Sequence, residues 1–425
     1  MTSRWLILAD DLTGAADCAI AFARRGLAAS VAWQGAGQGA EADPGTDVLA
    51  IDADSRRLPP AEAGARHAAL IRARHRPGAG LIKKIDSTLR GQPAAELAAT
   101  LAALRGSGRP ALAVIAPAFP ATGRTVEGGR VHLHGVPLES TPLWARDHSY
   151  PSAVLAEVLG SAGLTSRALP LDLVRAGEAA LAAALGDALA EGSEAVILDA
   201  TAPGDLDALA RASLPLAERL LWVGSGGIAA ALAAALPGGA PAAAALPAPR
   251  GGVLVVVGSV AEASRQAARR LVAEGAAEFL VSPALLRAGA GDPDWPRLSE
   301  GIAGAVAAGG NTLVTIAEDP EADLSRGAAL TEALATLLSS AAHRMGALFA
   351  TGGETACALL GHLGVHGIRL VEEVEPGVPL GVTQGRIEVP VMTKAGAFGD
   401  GETIVRSLAR WRAMNGTVAP RHGQP

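Results

Sequence analysis

The segment K-K-I-D-S-T-L-R-G, residues 83–91, brings two lysines, an aspartate, two hydroxyls and an arginine close together. A ligand carrying a carboxylate needs cations and hydroxyl donors grouped in this way, with arginine offering a two-pronged fork. If the apolar residues around it form a strand, alternation sends Lys84 and Asp86 to one face and Lys83 to the other. Arg90 follows within one helical turn of Ser87. A competing reading is a structural ion-pair network with Ser87 or Thr88 capping a helix, because such networks also crowd clefts.

A second segment, A-D-D-L-T-G at 9–14, places Asp10 and Asp11 directly after the apolar run W-L-I-L-A. One carboxylate can cap the next helix while Thr13 closes the turn, a contact worth about 1 kcal/mol. The other can accept hydrogen bonds from substrate hydroxyls or act as a base. Adjacent carboxylates usually point apart, so the two are not read as a dyad. Further polar endings follow apolar runs at D-A-D-S-R (52–56), P-A-F-P-A-T-G-R-T (117–125), D-A-T (199–201) and G-S-G-G (224–227). One such ending is ordinary helix capping; several together suggest a polar pocket beyond the carboxyl ends of a sheet.

Later in the chain, three glycine-rich turns follow apolar runs: V-V-V-G-S-V-A-E-A-S (255–264), L-F-A-T-G-G-E-T-A (348–356) and V-M-T-K-A-G-A-F-G-D-G-E-T (391–403). A strand, a bare-backbone turn and a helix N-terminus form an anion cradle, so three of them suggest a ligand with several phosphates. The chain has no G-x-x-x-x-G-K-[ST] P-loop. G-S-G-G-I-A (224–229) resembles a dinucleotide turn, but the next acidic residue is Glu262, too far on for a ribose contact. His132 and His134 in V-H-L-H-G would share a strand face. With no third ligand in view, a hairpin is the better reading than a zinc site.

These motifs need a scaffold of α/β type. Short apolar runs alternate with alanine-rich helical stretches throughout, the pattern of two domains, each with a mostly parallel β-sheet flanked by helices. The expected strands are W-L-I-L-A, V-L-A-I-D, L-I-K-K-I-D, L-A-V-I-A-P, A-V-I-L-D-A and L-L-W-V-G, then V-L-V-V-V-G, E-F-L-V-S, T-L-V-T-I, A-L-F-A-T-G and I-E-V-P-V-M. The expected domains are 1–238 and 252–412, with a Pro/Ala/Gly linker at 239–251 and a flexible tail at 413–425. At 425 residues the chain can bury sizeable cores, and its mean hydropathy of +0.29 comes largely from alanine, since aromatics are 3%. No charged residue occurs between Arg219 and Arg250, yet glycines and prolines interrupt that stretch, which excludes a membrane span. A net charge of −6 argues against a nucleic-acid partner. Cys18 and Cys357 give no disulfide framework and read as small packing residues. The N-terminus leads straight into the first strand without a signal segment, so a cytoplasmic location is expected.

Taken in order, A-D-D-L-T-G-A-A-D, D-A-D-S-R, K-K-I-D-S-T-L-R-G, P-A-F-P-A-T-G-R-T, T-G-G-E-T and K-A-G-A-F-G resemble the four-carbon acid sugar kinase family. The resemblance implies an N-terminal acid-sugar-binding domain, a C-terminal ATP-binding domain and transfer of the γ-phosphoryl group to the C4 hydroxyl. It implies acceptor contacts at Asp10, Asp11, Arg56, Lys83, Asp86, Arg90 and Arg124. Asp11 or Asp86 is the expected base, and Asp400, beside the last glycine turn, is the rival because sugar kinases of another family place a base after such a turn. It implies nucleotide contacts at Ser259, Gly352, Gly353, Glu354, Thr355, Gly396 and Gly399, with Mg2+ on the phosphates. Ala395 and Ala397 stand where the family's last loop usually carries serine and asparagine. D-Threonate or D-erythronate is the expected acceptor, with 3-oxo- or 2-oxo-tetronate as the alternative. An NAD(P)-dependent oxidoreductase and a non-catalytic sugar-acid sensor are more distant readings. Expected partners are thus the small-molecule sugar acid and ATP, no nucleic acid and no membrane, with a homodimer as the assembly to test.

Overall fold

A computed structural model describes residues 4–33, 45–147, 150–239, 246–248, 250–258, 261–318, 327–394 and 399–416. The chain divides into two compact units, residues 1–34 with 41–242, and residues 35–40 with 243–425.

In the first unit the strands are β1 (Trp5–Ala9), β2 (Ala29–Trp33), β3 (Val48–Asp52), β4 (Gly80–Lys84), β5 (Leu112–Ala116), β6 (Arg124–Glu127), β7 (Arg130–Leu133), β8 (Val136–Pro137), β9 (Ser166–Leu169), β10 (Ala195–Leu198) and β11 (Leu220–Gly224). The main sheet has the order β2-β3-β1-β4-β11-β5-β10-β9 with every pair parallel. Its central strands are buried along their whole length, which is why they read as unbroken apolar runs. Helix α1 (Leu12–Ala23) follows β1, α2 (Pro60–Arg74) precedes β4 and α3 (Pro93–Gly106) follows it. The last two open with proline, whose fixed φ suits a first helical turn, and they pack on each other.

The chain leaves β1 toward β2 on one side and leaves β4 toward β5 on the other. The β1/β4 boundary is therefore the sheet's switch point, where a crevice opens beyond the carboxyl ends. The register here places Trp5 opposite Gly80. A Cβ on Gly80 would lie 2.6 Å from the indole ring of Trp5, so only glycine fits beneath it.

Two strands of this main sheet lie outside the expected set. β2 (A-S-V-A-W) is as long as its neighbours but Ser30 interrupts its apolar run, and β9 (S-R-A-L) is an edge strand with two exposed residues. V-H-L-H-G falls on β7 and the turn after it, within the antiparallel group β6-β7-β8, as the hairpin reading required.

The second unit contains β12 (Val253–Val257), β13 (Ala277–Val281), β14 (Asn311–Ile316), β15 (Ala347–Thr351), β16 (Val365–Glu375), β17 (Val378–Gly385) and β18 (Pro390–Lys394). Its order is β13-β14-β12-β15-β18-β17-β16, parallel from β13 to β18 and antiparallel at β17 and β16. The β16–β17 hairpin turns at Pro376-Gly377, where Gly377 takes a φ of 75°. The charged, half-buried positions of β16 and the proline and glycine within β17 hid the hairpin from an apolar-run search. Phe349, Met392, Ile404, Leu408 and Trp411 anchor the core of this unit. The last helix, Thr403–Gly416, runs past residue 412. Among the described residues, no helix is long and apolar enough to cross a membrane.

Candidate active site

The carboxyl ends of β1, β3 and β4 deliver a compact group of charges. Asp11 is the N-cap of α1: its Oδ1 accepts the Gly14 amide at 3.0 Å and its Oδ2 accepts the Thr13 hydroxyl at 2.7 Å. Asp10 is buried. The two neighbours do not point apart as expected, because Arg56, from the turn after β3, reaches both. Its Nε donates to Asp10 Oδ2 at 2.7 Å, and its Nη1 donates to Asp11 Oδ2 at 2.9 Å. The backbone supports the same arrangement, with the Ser55 and Arg56 amides both donating to the Asp10 carbonyl at 3.2 and 3.3 Å. Burial would raise the Asp10 carboxyl, but Arg56 and Lys84 outweigh it and bring the pKa down to about 2.

Lys84 belongs to this group, although the sequence reading did not place it among the site residues. Alternation had put it with Asp86, and that was the available signal. A Cβ on Gly14 would lie 2.5 Å from both Lys84 Nζ and Asp11 Oδ1, so the glycine of D-D-L-T-G makes room for the ammonium. Burial would lower Lys84, but Asp10 and Asp11 hold it above the usual lysine range.

The turn after β4 folds back on itself. Leu89 is buried with φ 62°, a left-handed conformation that costs a leucine about 1 kcal/mol or more. That bend returns Arg90 to Asp86, where Nη2 donates to Oδ1 at 2.8 Å and Nε to Oδ2 at 3.0 Å. Asp86 also accepts the Thr88 amide at 3.1 Å and the Thr88 hydroxyl, and Arg56 stands 3.8 Å away. Burial alone would raise its pKa, yet Arg90 and Arg56 hold it well below the usual carboxylate range. Arg124, at the start of β6, feels both Asp86 and Arg90. Its Nη1 donates to the Thr122 carbonyl at 2.8 Å, its Nε is buried with no hydrogen-bond partner, and no carboxylate among the described residues pairs with it. Burial pushes its guanidinium below the usual range, against the pull of Asp86.

Lys83 departs from its expected role as an acceptor contact. Alternation carries its side chain to the opposite face of β4, where the buried Nζ donates to Glu96 Oε2 on α3 at 2.6 Å. Asp400 departs from the role of rival base. It closes the turn before the last helix, with Oδ1 accepting the Glu402 amide at 2.9 Å and Arg406 Nη2 at 2.9 Å. The glycines of G-S-G-G are occupied by packing: a Cβ on Gly226 would meet Asp17 and Phe119, and one on Gly227 would meet the Ala118 carbonyl. That leaves no open cradle for a dinucleotide. His132 Nδ1 faces the Arg130 carbonyl at 3.1 Å, and among the described residues no three metal-ligating side chains group together.

In the second unit, β12, β15 and β18 end side by side, with Val257 opposite Thr351 and Thr351 opposite Lys394. Gly352, with φ 91°, is the N-cap of helix Gly353–His362, and its amide donates to the Lys394 carbonyl at 2.9 Å. Gly258 lies directly against Thr355 in that helix, where any Cβ would collide. Gly399, with φ 73°, packs against Thr403 at the start of the last helix. Ser259, Gly396 and the flanking Ala395 and Ala397 lie outside the described residues, as does the side chain of Glu354. The sequence reading passed over Lys394 itself, the first residue of K-A-G-A-F-G. It is buried, its Nζ donates to Ser264 Oγ at 3.2 Å, and burial lowers its pKa to about 8. Thr351 Oγ1 is likewise buried there without a hydrogen-bond partner. A cation under glycine turns and a helix N-terminus suits a phosphate.

Comparison with known proteins agrees with both halves of this picture. Residues 5–232 match the family described as the sugar-binding N-terminal domain, and residues 254–404 match the nucleotide-binding C-terminal domain. A D-threonate kinase of Cupriavidus necator is 46% identical over 98% of this chain and 99% of its own length. A D-threonate kinase of Bordetella bronchiseptica is 37% identical, covering 94% of this chain and 96% of its own. A D-erythronate kinase of Heliobacterium modesticaldum is 30% identical, with 94% and 95% covered. The fold matches a solved structure from Haemophilus influenzae with a TM-score of 0.74 at 20% identity, covering 95% of this chain and 99% of that one. Fold and matches together define a sugar-binding domain joined to a nucleotide-binding domain. The chain belongs to the four-carbon acid sugar kinase family.

Proposed function

We propose that this protein is an ATP-dependent kinase acting on the C4 hydroxyl of a four-carbon sugar acid, D-threonate foremost and D-erythronate next. The observation that carries the reading is the convergence of Asp10, Asp11, Arg56, Lys84, Asp86 and Arg90 at the switch point of a parallel sheet. It occurs in a chain 46% identical to a D-threonate kinase along nearly its whole length. Carboxylates accept hydrogen bonds from the acceptor's hydroxyls, and Arg56, Arg90 and Arg124 balance its acid group. Phosphoryl transfer demands mainly positioning and charge neutralisation. Asp86, ionised so firmly by two arginines, is a weak proton acceptor and serves to orient the substrate. Asp11, on the rim with its side chain 20% exposed, is the better placed to receive the hydroxyl proton.

In the second unit, Gly352, Gly353, Thr355, Gly399 and Lys394 suit the phosphates of ATP, with Ser259, Glu354 and Gly396 completing the motif. The described residues offer no dedicated cage for a divalent ion, so Mg2+ would be held chiefly by phosphate oxygens and water, where it neutralises their charge. ATP as co-substrate points to a cytoplasmic location.

An ADP-release screen over D- and L-threonate, D- and L-erythronate and the 2- and 3-oxo-tetronates tests the reading. The highest kcat/KM is expected with D-threonate. A higher value with 3-oxo-tetronate moves the assignment within the family, and tight acceptor binding without ADP release from any of them overturns the kinase reading. Under single turnover, D11N should lose far more rate than D86N at saturating acceptor.

A further inference from the structure

Behind the charged cluster, on the other face of the sheet, four polar side chains are sealed from solvent. Ser55, His67, Lys83 and Glu96 are each at most 1% exposed. Glu96, in the first turn of α3, uses both carboxylate oxygens. Oε1 accepts the Ser55 hydroxyl at 2.6 Å, and Oε2 accepts the Lys83 ammonium at 2.6 Å. His67 on α2 places Nε2 3.1 Å from Ser55 Oγ, and Lys83 Nζ also donates to the Lys84 carbonyl at 3.2 Å. Since Ser55 gives its proton to Glu96, it receives one from His67 Nε2, which leaves Nδ1 as the buried acceptor without a partner.

The two residues that Glu96 grips are the chain neighbours of two site cations. Ser55 precedes Arg56 and Lys83 precedes Lys84, on separate strand ends whose side chains then turn to the opposite face. A buried ion pair is poor value as a source of stability, because well-packed apolar residues of similar volume often serve as well or better. What it supplies is a fixed distance between the two strand ends. We propose that Glu96 is a positioning residue for the acceptor site, setting through Ser55 and Lys83 where Arg56 and Lys84 meet the sugar acid. This assignment rests on the kinase reading above for its substrate, but its geometry can be read without turnover.

The test is the pair replacement K83M/E96L, which removes the buried charges while keeping volume, together with the milder S55A. Acceptor KM should rise about ten-fold or more in both, the scale of loss that small misplacements produce, while KM for ATP stays within about two-fold. Amide hydrogen exchange should quicken at residues 54–57 and 84–90 with β5 and β10 unchanged. A structural role alone predicts that K83M/E96L, once it melts at the wild-type temperature, also recovers the wild-type acceptor KM. That recovery, or unchanged exchange in both segments, overturns the proposal. If the wild-type enzyme turns over no four-carbon acid, the kinase reading fails by itself, and the exchange measurement still decides the role of Glu96.

Discussion

Arg124 stands apart from the other site cations because its charge is unclaimed. Arg56 is divided between Asp10 and Asp11, Arg90 is paired to Asp86, and Lys84 sits in the field of the first two aspartates. Arg124 bonds only a carbonyl oxygen, and burial disfavours its charge. A guanidinium so placed gains most from an incoming anion. R124Q should therefore lower kcat/KM for D-threonate about 30-fold, the equivalent of one charge-assisted contact of about 2 kcal/mol. The weak phosphorylation of the matching tetritol, which lacks the carboxylate, should be unchanged. Equal losses on both substrates would show that Arg124 shapes the site without reading the acid. At this scale the sequence was informative about residue types and poor on partners. Alternation correctly separated Lys83 from Lys84, but the partner of Lys83 is Glu96 in a helix thirteen residues on, and no local pattern announces that pairing.

Among the elements, strand endings carry most of the chemistry. The apolar runs betrayed nearly every parallel strand, because a strand buried on both faces must be apolar throughout. Strands β16 and β9 escaped because their half-buried or exposed positions are charged or polar, and β17 because proline and glycine interrupt its apolar residues. The end of β18 holds the clearest missed residue. Lys394 is neutralised in the free protein as pH rises through about 8, and a bound phosphate would favour its charged form. ATP affinity should then decline above about pH 8 in the wild type. K394M should bind ATP at least about ten-fold more weakly at neutral pH while adenosine binding is unaltered. Calorimetric titration of both ligands decides this; equal weakening of adenosine would mean that the substitution disturbs the fold of the site.

Across the whole molecule, the two units carry buried titratable groups that act with the same sign in different pH windows. In the first, burial and then Lys83 hold His67 neutral well below its usual range, with Asp10 pulling weakly the other way and Glu96 3.6 Å from its Nε2. The unfolded chain takes up that proton below about pH 6.5 while the folded unit does not, so stability present above that pH is lost on acidification. Asp10 adds a second loss as pH falls from the ordinary aspartate value of 3.8, which the unfolded chain has, through about 2. In the second unit, Lys394 releases its proton near pH 8 when folded and near 10.5 when unfolded, so its contribution to stability rises across that interval. Scanning calorimetry of the ligand-free protein should show the first unit's transition falling below pH 6.5 more steeply than in H67Q. Between about pH 8 and 10, K394M should lose a stabilising pH slope that the wild type has. A His67 variant with the wild-type acid profile would refute the first assignment.

The adjacent lysines of β4 also bear on how the sheet assembles. A slip of this strand by one residue would exchange Lys83 and Lys84 between faces, and each face would still offer an ammonium to its acids. Charge is therefore degenerate with respect to that error, and a chain relying on ion pairs to find its pairing could settle one step out of place. The discrimination falls to Trp5 and Gly80 at the far end of the strands. Either neighbour, Ala79 or Leu81, would drive a side chain into the indole. A proofreading contact at the amino end of the sheet thus protects the identity of the cation delivered at its carboxyl end.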